Sequence, residues 1–487
     1  MADSAEHETA WYRSPRGGAL CAGVLLLGLS LVLFVNLGAE PVTRLSEKRV
    51  MTVVAAMVRS GDWMVPRVQG TPRLQKPPLL YWVGAANAKL LDDPGPLPVR
   101  LPSALAALAL VGVVLAWGTS LGGIARGLAA AAALAAMYQL IVSGRRGDAE
   151  MLLALFCTAS LFAFDRLHAT RSRALLPVFG LLAGLALLAK TTAVFPVVAL
   201  PILVYLAVQR ELRLLRDPGM LAACALALAI GVAWYVVIAL TVEGALATFW
   251  DELIHPLSWA FDDSPSIRHA RPFWFYLGAL PLRAAPASVL LPVVIWRLYT
   301  TRVYRDAPRM RFAAICFLAT FAAFSLLRQK QVHYVLVMLP SLALLCAESV
   351  VALAPRARAW LARLVGAPLA LAGLAATALL ALYFHWVEAR SVSLVAAASL
   401  AIGGLFAWAL IAALRGRAPW VALAWLPAFL LVLTLHRAVA IVRVELLESD
   451  GVGGMTLDER ERLYRLAREQ PWFIDLFQQA RGKGGDG

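Results

Sequence analysis

Residues 174–208 read ALLPVFGLLAGLALLAKTTAVFPVVALPILVYLAV and contain one charged side chain, that of Lys190. The apolar runs on either side of it, residues 174–189 and 192–208, each approach the length with which a helix crosses about 30 Å of hydrocarbon. In lipid, a helix forms all of its backbone hydrogen bonds internally, whereas an irregular segment leaves backbone groups unpaired. The stretch therefore predicts two membrane-spanning helices joined by a turn at Lys190.

Similar apolar runs recur along the chain, which is 61% hydrophobic and only 15% charged. Its mean hydropathy of +0.72 implies far more apolar surface than a soluble core of 487 residues could bury. The composition predicts an all-α integral membrane protein with about 13 transmembrane helices. The predicted spans cover residues 19–37, 101–121, 124–142, 149–165, 174–189, 192–208, 219–240, 274–296, 312–327, 333–353, 363–384, 391–413 and 419–441.

The arginines between the spans predict the orientation of the chain. With a cytoplasmic N-terminus at residues 1–17, six arginine-bearing loops alternate onto the cytoplasmic side, as the positive-inside rule predicts. The membrane domain then covers residues 18–442, with a first outer loop at 39–100, and residues 443–487 form an outer tail with an amphipathic helix. The clusters are Arg126; Arg166, Arg171 and Arg173; Arg210, Arg213 and Arg216; Arg302, Arg305, Arg309 and Arg311; Arg356 and Arg358; Arg415 and Arg417.

The net charge of +15 is spread over these short clusters and does not form a long basic stripe, so no nucleic-acid partner is expected. Residues 77–91 are apolar as well, but a crossing there would place the later arginine clusters outside. We expect this segment to lie along the membrane interface. The five cysteines lie in apolar runs without CxxC spacing and predict neither a metal site nor a disulfide.

Polar side chains gather on the predicted outer face, where they are the most informative residues of a membrane chain. The first outer loop carries an excess of positive charge, and the next outer loop carries Asp148 and Glu150. Cations could hold a leaving phosphate, and a carboxylate could accept the proton of an attacking hydroxyl. This combination of cations and carboxylates suits transfer of a sugar from a phosphate carrier. The two carboxylates of a glycosidase would look similar in sequence.

Three motifs of the first outer loop resemble those of membrane glycosyltransferases of the C-type fold, in particular lipid A aminoarabinose transferases and protein mannosyltransferases. They are SGDWMVPR at residues 60–67, KPPLLYW at 76–82 and RLPS at 100–103. Further matches follow in order at Asp148, LLAK at 187–190, HARPFWFY at 269–276 and KQVHY at 330–334. The resemblance covers residues 18–350 and implies that fold, with juxtamembrane helices in the first outer loop.

The resemblance also implies a polyprenyl phosphate sugar donor, an inverting displacement, and a lipid A, envelope glycan or protein acceptor. The family has an Asp-Glu pair where this chain has Ser46 and Glu47, so either Glu47 or Asp148 is expected to be the base. Gln75 stands where the aminoarabinose branch has a glutamate that resembles a metal ligand, so no metal or other cofactor is assigned. His255, His269 and His333 could coordinate a divalent metal or orient the acceptor.

Each candidate has a structural interpretation beside the functional one. Glu47 could be a solvated or helix-capping carboxylate beside Arg49, and Asp148 could cap a helix. Lysines and aromatic residues at loop edges, including Lys190, also anchor helices at the membrane surface. The candidates for binding the carrier phosphate or the donor are Lys76, Lys330, Arg67, Asp62, Tyr81 and His333, with Asp62 and Arg67 also able to shape the loop as a pair.

The sequence thus predicts a glycosyltransferase of a bacterial inner membrane with its active site on the periplasmic face. Its expected partners are a polyprenyl-phosphate-linked sugar, the acceptor and membrane lipids. A transporter or flippase of lipid-linked sugars is the alternative, and it would place charges along a path through the bilayer. Glu348, near a cytoplasmic helix end, is the main charge inside a predicted span. A relative that binds polyprenyl lipid without catalysis is the third hypothesis.

Overall fold

A computed structural model describes residues 14–40, 42, 44–251, 271–300 and 307–368, with short pieces between 370 and 378 and between 404 and 415. The described elements are helical apart from one two-stranded hairpin. The helices are α1 (Pro15–Phe34), α2 (Leu45–Ser60), α3 (Leu79–Leu91), α4 (Leu97–Gly122), α5 (Ile124–Ala136), α6 (Tyr138–Gly144), α7 (Glu150–Thr170), α8 (Leu175–Val194), α9 (Leu200–Gln209), α10 (Pro218–Thr241), α11 (Phe275–Arg283), α12 (Leu291–Thr300), α13 (Pro308–Leu326), α14 (Leu339–Val351) and α15 (Pro355–Leu361).

Seven helical stretches within these residues are long and apolar enough to cross a membrane, and two bent helix pairs raise the number to as many as nine. The all-α membrane fold is therefore confirmed, whereas the number 13 stays a prediction. The predicted spans at 391–413 and 419–441 and the capped tail helix lie largely or wholly outside the described residues.

The stretch from Leu175 to Gln209 doubles back on itself at Lys190. Lys190 has φ −165° and ψ 93°, which interrupts α8, and a π-helical turn at Phe195–Ala199 follows. A straight helix of this length would separate its ends by about 50 Å, yet Arg171 and Glu211, just beyond the two ends, are 2.8 Å apart. The stretch thus consists of two antiparallel segments, as the lone lysine predicts.

Two other spans are bent in ways that the sequence analysis did not predict. The helix at residues 124–142 breaks at Met137, where α5 and α6 meet at 67°. The span at residues 274–296 breaks between α11 and the next helical segment, with an angle of 118°. The two breaks face each other, because the amide of Tyr138 donates to the carbonyl oxygen of Ala285 at 2.9 Å. This bond satisfies backbone groups that both helices leave open.

The first outer loop packs as a compact layer on one end of the bundle. It consists of α2, the hairpin β1 (Arg67–Val68) and β2 (Thr71–Pro72), and α3. At 13 residues α3 is too short to cross a bilayer, in keeping with its expected interfacial position. The indole of Trp234 in α10 donates to the carbonyl oxygen of Met64 at 2.9 Å, which attaches the loop to the bundle.

The two ends of the bundle differ in composition. We call the end that carries this loop, residues 145–149 and Lys190 the loop end, and the opposite one the arginine end. At the arginine end a buried Asp165 carboxylate pairs with Arg309, with 3.1 Å between Oδ1 and Nε. Arg126 and Glu348 pair there as well, at 2.7 Å. Asp165 is thus a second buried charge within a span, besides the predicted Glu348.

Candidate active site

Glu47, a candidate base, is buried at the first turn of α2, with 3% of its surface exposed. Its two carboxylate oxygens accept from the Arg100 guanidinium, at 2.6 Å for Oε1 and Nε and 3.3 Å for Oε2 and Nη2. Oε1 also accepts from the backbone amide of Gly147 at 3.1 Å. The alternative of a solvated carboxylate beside Arg49 is therefore wrong, because Glu47 lies inside the protein and its ion partner is Arg100.

Arg100 and Arg145 connect the segments that surround Glu47. Arg100 also donates to the carbonyl oxygen of Leu37 at 2.9 Å, just after α1. Arg145 pairs with Glu40 at 3.2 Å and donates to backbone carbonyls at the end of α1, including that of Val32 at 2.7 Å. A cation at a helix C-terminus is favourable because carbonyl oxygens there lack helical partners. The end of α1, the start of α2 and residues 145–147 are thereby joined.

Asp148, the other candidate base, lies next to this junction and is partly exposed. Its carboxylate takes a hydrogen bond from the Ser46 hydroxyl. Desolvation is the main cause that raises the pKa of Asp148, followed by the charge of Glu150, while Ser46 opposes the rise. The helix starts at Glu150 with Ala149 at the cap position and no side-chain cap, so Asp148 has a contact other than the predicted capping one.

A second charged group at the loop end joins three helices. The Glu150 carboxylate lies 3.2 Å from Lys190 Nζ and 3.4 Å from His333 Nε2. Lys190 Nζ also lies over the ring of Tyr334, 4.9 Å from its centre. Lys190 and His333 are candidates from the sequence motifs, whereas Glu150 has no role predicted from sequence. The sequence feature that indicates the Glu150–Lys190 pair is an acid at the start of one apolar span and a single lysine in the next.

The motif around Lys76 combines an exposed lysine with a buried tyrosine. Lys76 is exposed just before α3, and Pro77 and Pro78 restrict the backbone behind it. Tyr81 is only 3% exposed, and its hydroxyl interacts with Arg73. Burial raises the pKa of Tyr81, and Arg73 partly offsets the rise. Tyr81 therefore supports the loop that presents Lys76.

Asp62 and Arg67 shape the turn between α2 and the hairpin. Asp62 Oδ1 accepts from the backbone amides of Met64 and Val65 at 3.0 and 3.1 Å. Arg67 Nε lies 3.9 Å from Asp62 Oδ2, and both side chains are about two-fifths exposed. This contact agrees with the loop-shaping pair that the sequence analysis considered, and both side chains remain accessible to a ligand.

Lys330 lies at the loop end, between α13 and α14, with 3% of its surface exposed. Its ammonium group donates to the carbonyl oxygens of Arg271, at 3.1 Å, and Leu327. Burial and then the nearby Arg328 lower the pKa of Lys330. A phosphate would reach this ammonium only by displacing a carbonyl contact or by approaching its remaining proton.

Of the three histidines considered as metal ligands, His255 and His269 lie outside the described residues. Among the residues that the structure describes, no group of three histidine, cysteine or acidic side chains is arranged to hold a metal ion. His333 instead pairs with Glu150, as described above.

At the loop end, the accessible Asp148 carboxylate lies near the cations Arg44 and Lys190, and Lys76 is exposed in the first outer loop. A carboxylate whose pKa is raised by burial is a better proton acceptor than an ordinary one. Arg44 and Lys76 are exposed cations that can hold an anionic leaving group, whereas Lys190 already pairs with Glu150. The arrangement is able to deprotonate a hydroxyl beside a phosphate ester.

Comparison with known proteins supports the resemblance that the motifs indicate. The family described as dolichyl-phosphate-mannose-protein mannosyltransferase matches residues 75–236. An undecaprenyl phosphate-alpha-4-amino-4-deoxy-L-arabinose arabinosyl transferase of Pseudomonas aeruginosa is 31% identical over 337 residues, covering 67% of this chain and 59% of that protein. A protein of the same name from Pectobacterium carotovorum is 28% identical over 72% of this chain and 64% of its own length. The chain spans about three fifths of the length of these relatives.

The crystal structure of ArnT from Cupriavidus metallidurans bound to undecaprenyl phosphate superposes with a TM-score of 0.69. That match covers 88% of this chain and 78% of ArnT at 23% identity. The chain therefore has the C-type membrane fold of these transferases. The resemblance to the aminoarabinose transferase type of C-type glycosyltransferase, first indicated by the loop motifs, is confirmed.

Proposed function

We propose that this protein transfers a sugar from a polyprenyl phosphate to an acceptor hydroxyl, and that Asp148 accepts the proton of that hydroxyl. The observation that carries the proposal is the partly exposed Asp148 carboxylate, held by Ser46 among the cations of the loop end. The names of the similar proteins, which are undecaprenyl phosphate aminoarabinose transferases, support this class of donor. The proposed acceptors are lipid A, another envelope glycan or a protein.

Asp148 is the better candidate for the base because Glu47 is already engaged. Both oxygens of Glu47 bind Arg100, one of them also binds the Gly147 amide, and the side chain is buried. A base must come within about 3 Å of the proton that it removes. Glu47 could do so only by giving up contacts in a dry environment, which is costly for a charged group.

The proposed reaction needs no acid on the leaving side. When the acceptor oxygen attacks the anomeric carbon, the bond from that carbon to the carrier phosphate breaks and the phosphate leaves as an anion. Lys76 is accessible to that anion, and Lys330 is a second candidate ligand behind carbonyl groups. Arg67 and His333 are less direct candidates, since each already pairs with a carboxylate.

The proposed location is a bacterial inner membrane, with the loop end on the periplasmic face. The apolar helices support a multi-pass membrane protein, and the arginines at the other end support its orientation. The first loop and residues 145–150 would then meet the carrier head group at the outer surface.

The proposal is tested by measuring sugar transfer in liposomes that contain the purified protein and a panel of labelled polyprenyl phosphate sugars. Asp148→Asn should lower kcat by about 10² to 10⁴-fold, the usual contribution of a general base. Asp92→Asn is the matched control, because Asp92 is an exposed carboxylate at the same end of the bundle, in the first outer loop, and its left-handed backbone is one that asparagine tolerates. Equal transfer by wild type and Asp148→Asn would reject Asp148 as the base.

Failure of the wild type to transfer any sugar, with retained lipid binding, would favour the transporter or the non-catalytic relative. The described structure gives a transporter little support. Between Glu150 and Asp165, α7 contains no charged residue, so its charged groups mark its ends. A transport path would need charged side chains at intermediate depth.

A further inference from the structure

Two neighbouring contacts join the start of α2 to the segment that carries Asp148. The Ser46 side chain binds Asp148, and the next residue, Glu47, binds the amide of Gly147, which precedes Asp148. The first contact lies at the surface, and the second is buried. Ser46 and Glu47 contact Asp148 and Gly147 in reverse chain order. One segment therefore cannot slide along the other without breaking both contacts.

The buried contact is held from a third direction by Arg100 at the start of α4. Its guanidinium binds both oxygens of Glu47 and the carbonyl oxygen of Leu37, and it is 2% exposed. A bidentate pair of this kind restricts the orientation of both planar groups. Because Arg100 belongs to a membrane-spanning helix, it relates α2 and the Asp148 segment to the rigid bundle.

The geometry points to Glu47 and Arg100 as positioning residues that hold the Asp148 carboxylate beside Ser46 in the orientation needed to accept a proton. Ser46 completes the arrangement by donating its hydroxyl to that carboxylate. This inference rests on the proposed function, in which Asp148 is the base. It gives Glu47 a role in catalysis without contact with the substrate.

The positioning groups should have opposite effects on the acidity of Asp148. The hydrogen bond from Ser46 lowers the pKa of Asp148, and the negative charge of Glu47 raises it. The other charges that act on Asp148 are Glu150, Arg44 and Lys190, which stay in place when Ser46 or Glu47 is changed.

The test is the pH dependence of kcat for wild type, Ser46→Ala and Glu47→Gln. A base must be deprotonated, so activity falls on the acid side as pH drops through the pKa of Asp148. Ser46→Ala removes a bond to the ionised form and should move the acid limb to higher pH, by roughly 0.5 to 1 unit. Glu47→Gln removes a negative charge and should move the limb to lower pH by a similar amount.

Glu47→Gln should also lower kcat at least about 10-fold, because a misplaced catalytic group is costly, while KM for the donor changes little. The variant leaves Arg100 without its ion partner and could unfold, so only monodisperse protein with a cooperative melting curve is assayed. Ser46→Ala alters an exposed side chain and tests the inference even where Glu47→Gln fails to fold. Asp92→Asn is again the control, with an unchanged acid limb.

Opposite shifts of the two acid limbs are the result expected of the positioning role. If the acid limb of the kcat profile stayed at the wild-type pH in both variants, and activity fell only with the folded fraction, the positioning role would be overturned. A Glu47→Gln protein that is inactive at every pH while Asp148→Asn stays active would also overturn it, since Glu47 would then be the base. Failure of the wild type to transfer sugar would instead reject the proposed function itself.

Discussion

At the residue scale, Glu47 and Asp148 are neighbouring carboxylates in contrasting surroundings. Glu47 is buried against Arg100, whereas Asp148 is partly exposed and bound by a hydroxyl. The sequence named both as candidates but could not rank them, because their partners Arg100 and Ser46 come from other segments. The RLPS motif included Arg100 without indicating what it binds. Contacts between distant segments depend on tertiary packing, which residue patterns do not encode locally.

Lys330 provides a pH test at the same scale. Burial and Arg328 lower its pKa, so its ammonium charge is present at low pH and is lost at a lower pH than that of an exposed lysine. If Lys330 binds the carrier phosphate, KM for the donor should rise on the alkaline side as the charge is lost. Lys330→Arg keeps its charge at all accessible pH values and should flatten that rise.

The measurement for Lys330 is KM for the donor between about pH 7 and 10.5, a range set by the ordinary pKa of lysine. Lys89→Arg is a control, since Lys89 lies near the end of α3 and contacts the Trp63 ring. An alkaline rise of KM that is identical in wild type and Lys330→Arg would show that another group causes it.

At the element scale, the lone Lys190 predicted the turn at which residues 175–209 fold back on themselves, because a charge within an apolar run favours a turn at the membrane surface. The bend at Met137 had no such signal, since neither proline nor glycine stands there. It depends on the contact between Tyr138 and Ala285, which only the folded bundle creates. The break between α11 and α12 is accompanied by Pro281 and Pro286, which the sequence analysis did not use.

Close packing of α8 on α10 yields a stability prediction. Gly180 and Gly184 are one turn apart, and a Cβ atom at Gly180 would lie 2.5 Å from the carbonyl oxygen of Ala223. Gly180→Ala should therefore push the helices apart and destabilise the protein by about 1–3 kcal/mol, the usual cost of overpacking. The expected readout is a lower melting temperature in detergent.

Gly112→Ala in α4 is the matched control, because a Cβ atom there meets nothing within 4 Å. Alanine favours a helix over glycine, so this variant should melt at or above the wild-type temperature. If Gly180→Ala melted as high as Gly112→Ala, the two helices would not pack as closely as described.

At the whole-molecule scale, the chain separates its charges between two ends. Asp148, Glu150 and Lys190 lie at the loop end, whereas Asp165 and Glu348 pair with arginines at the other end. The arginine clusters predicted the orientation from sequence, and the contacts show that the clusters at Arg126, Arg171 and Arg309 lie at one end. The number of spans remains a prediction beyond the described residues.

Orientation is tested by labelling single cysteines in intact cells with a membrane-impermeant thiol reagent. The described positions Asp92, at the loop end, and Arg173, at the arginine end, are both exposed. Asp92→Cys should react from outside, and Arg173→Cys should react only after the membrane is opened. The background carries Cys224→Ala, since Cys224 is the exposed one of the five native cysteines. The reverse pattern would place the loop end in the cytoplasm.

The central claim is that a sugar leaves its polyprenyl phosphate at the Asp148 site. The most direct measurement is mass spectrometry of the carrier lipid and of the acceptor after incubation with wild type or Asp148→Asn. The account predicts free polyprenyl phosphate and glycosylated acceptor in equal amounts with the wild type, and both nearly absent with Asp148→Asn. Equal conversion by both proteins, or loss of the sugar with its phosphate still attached, would contradict it.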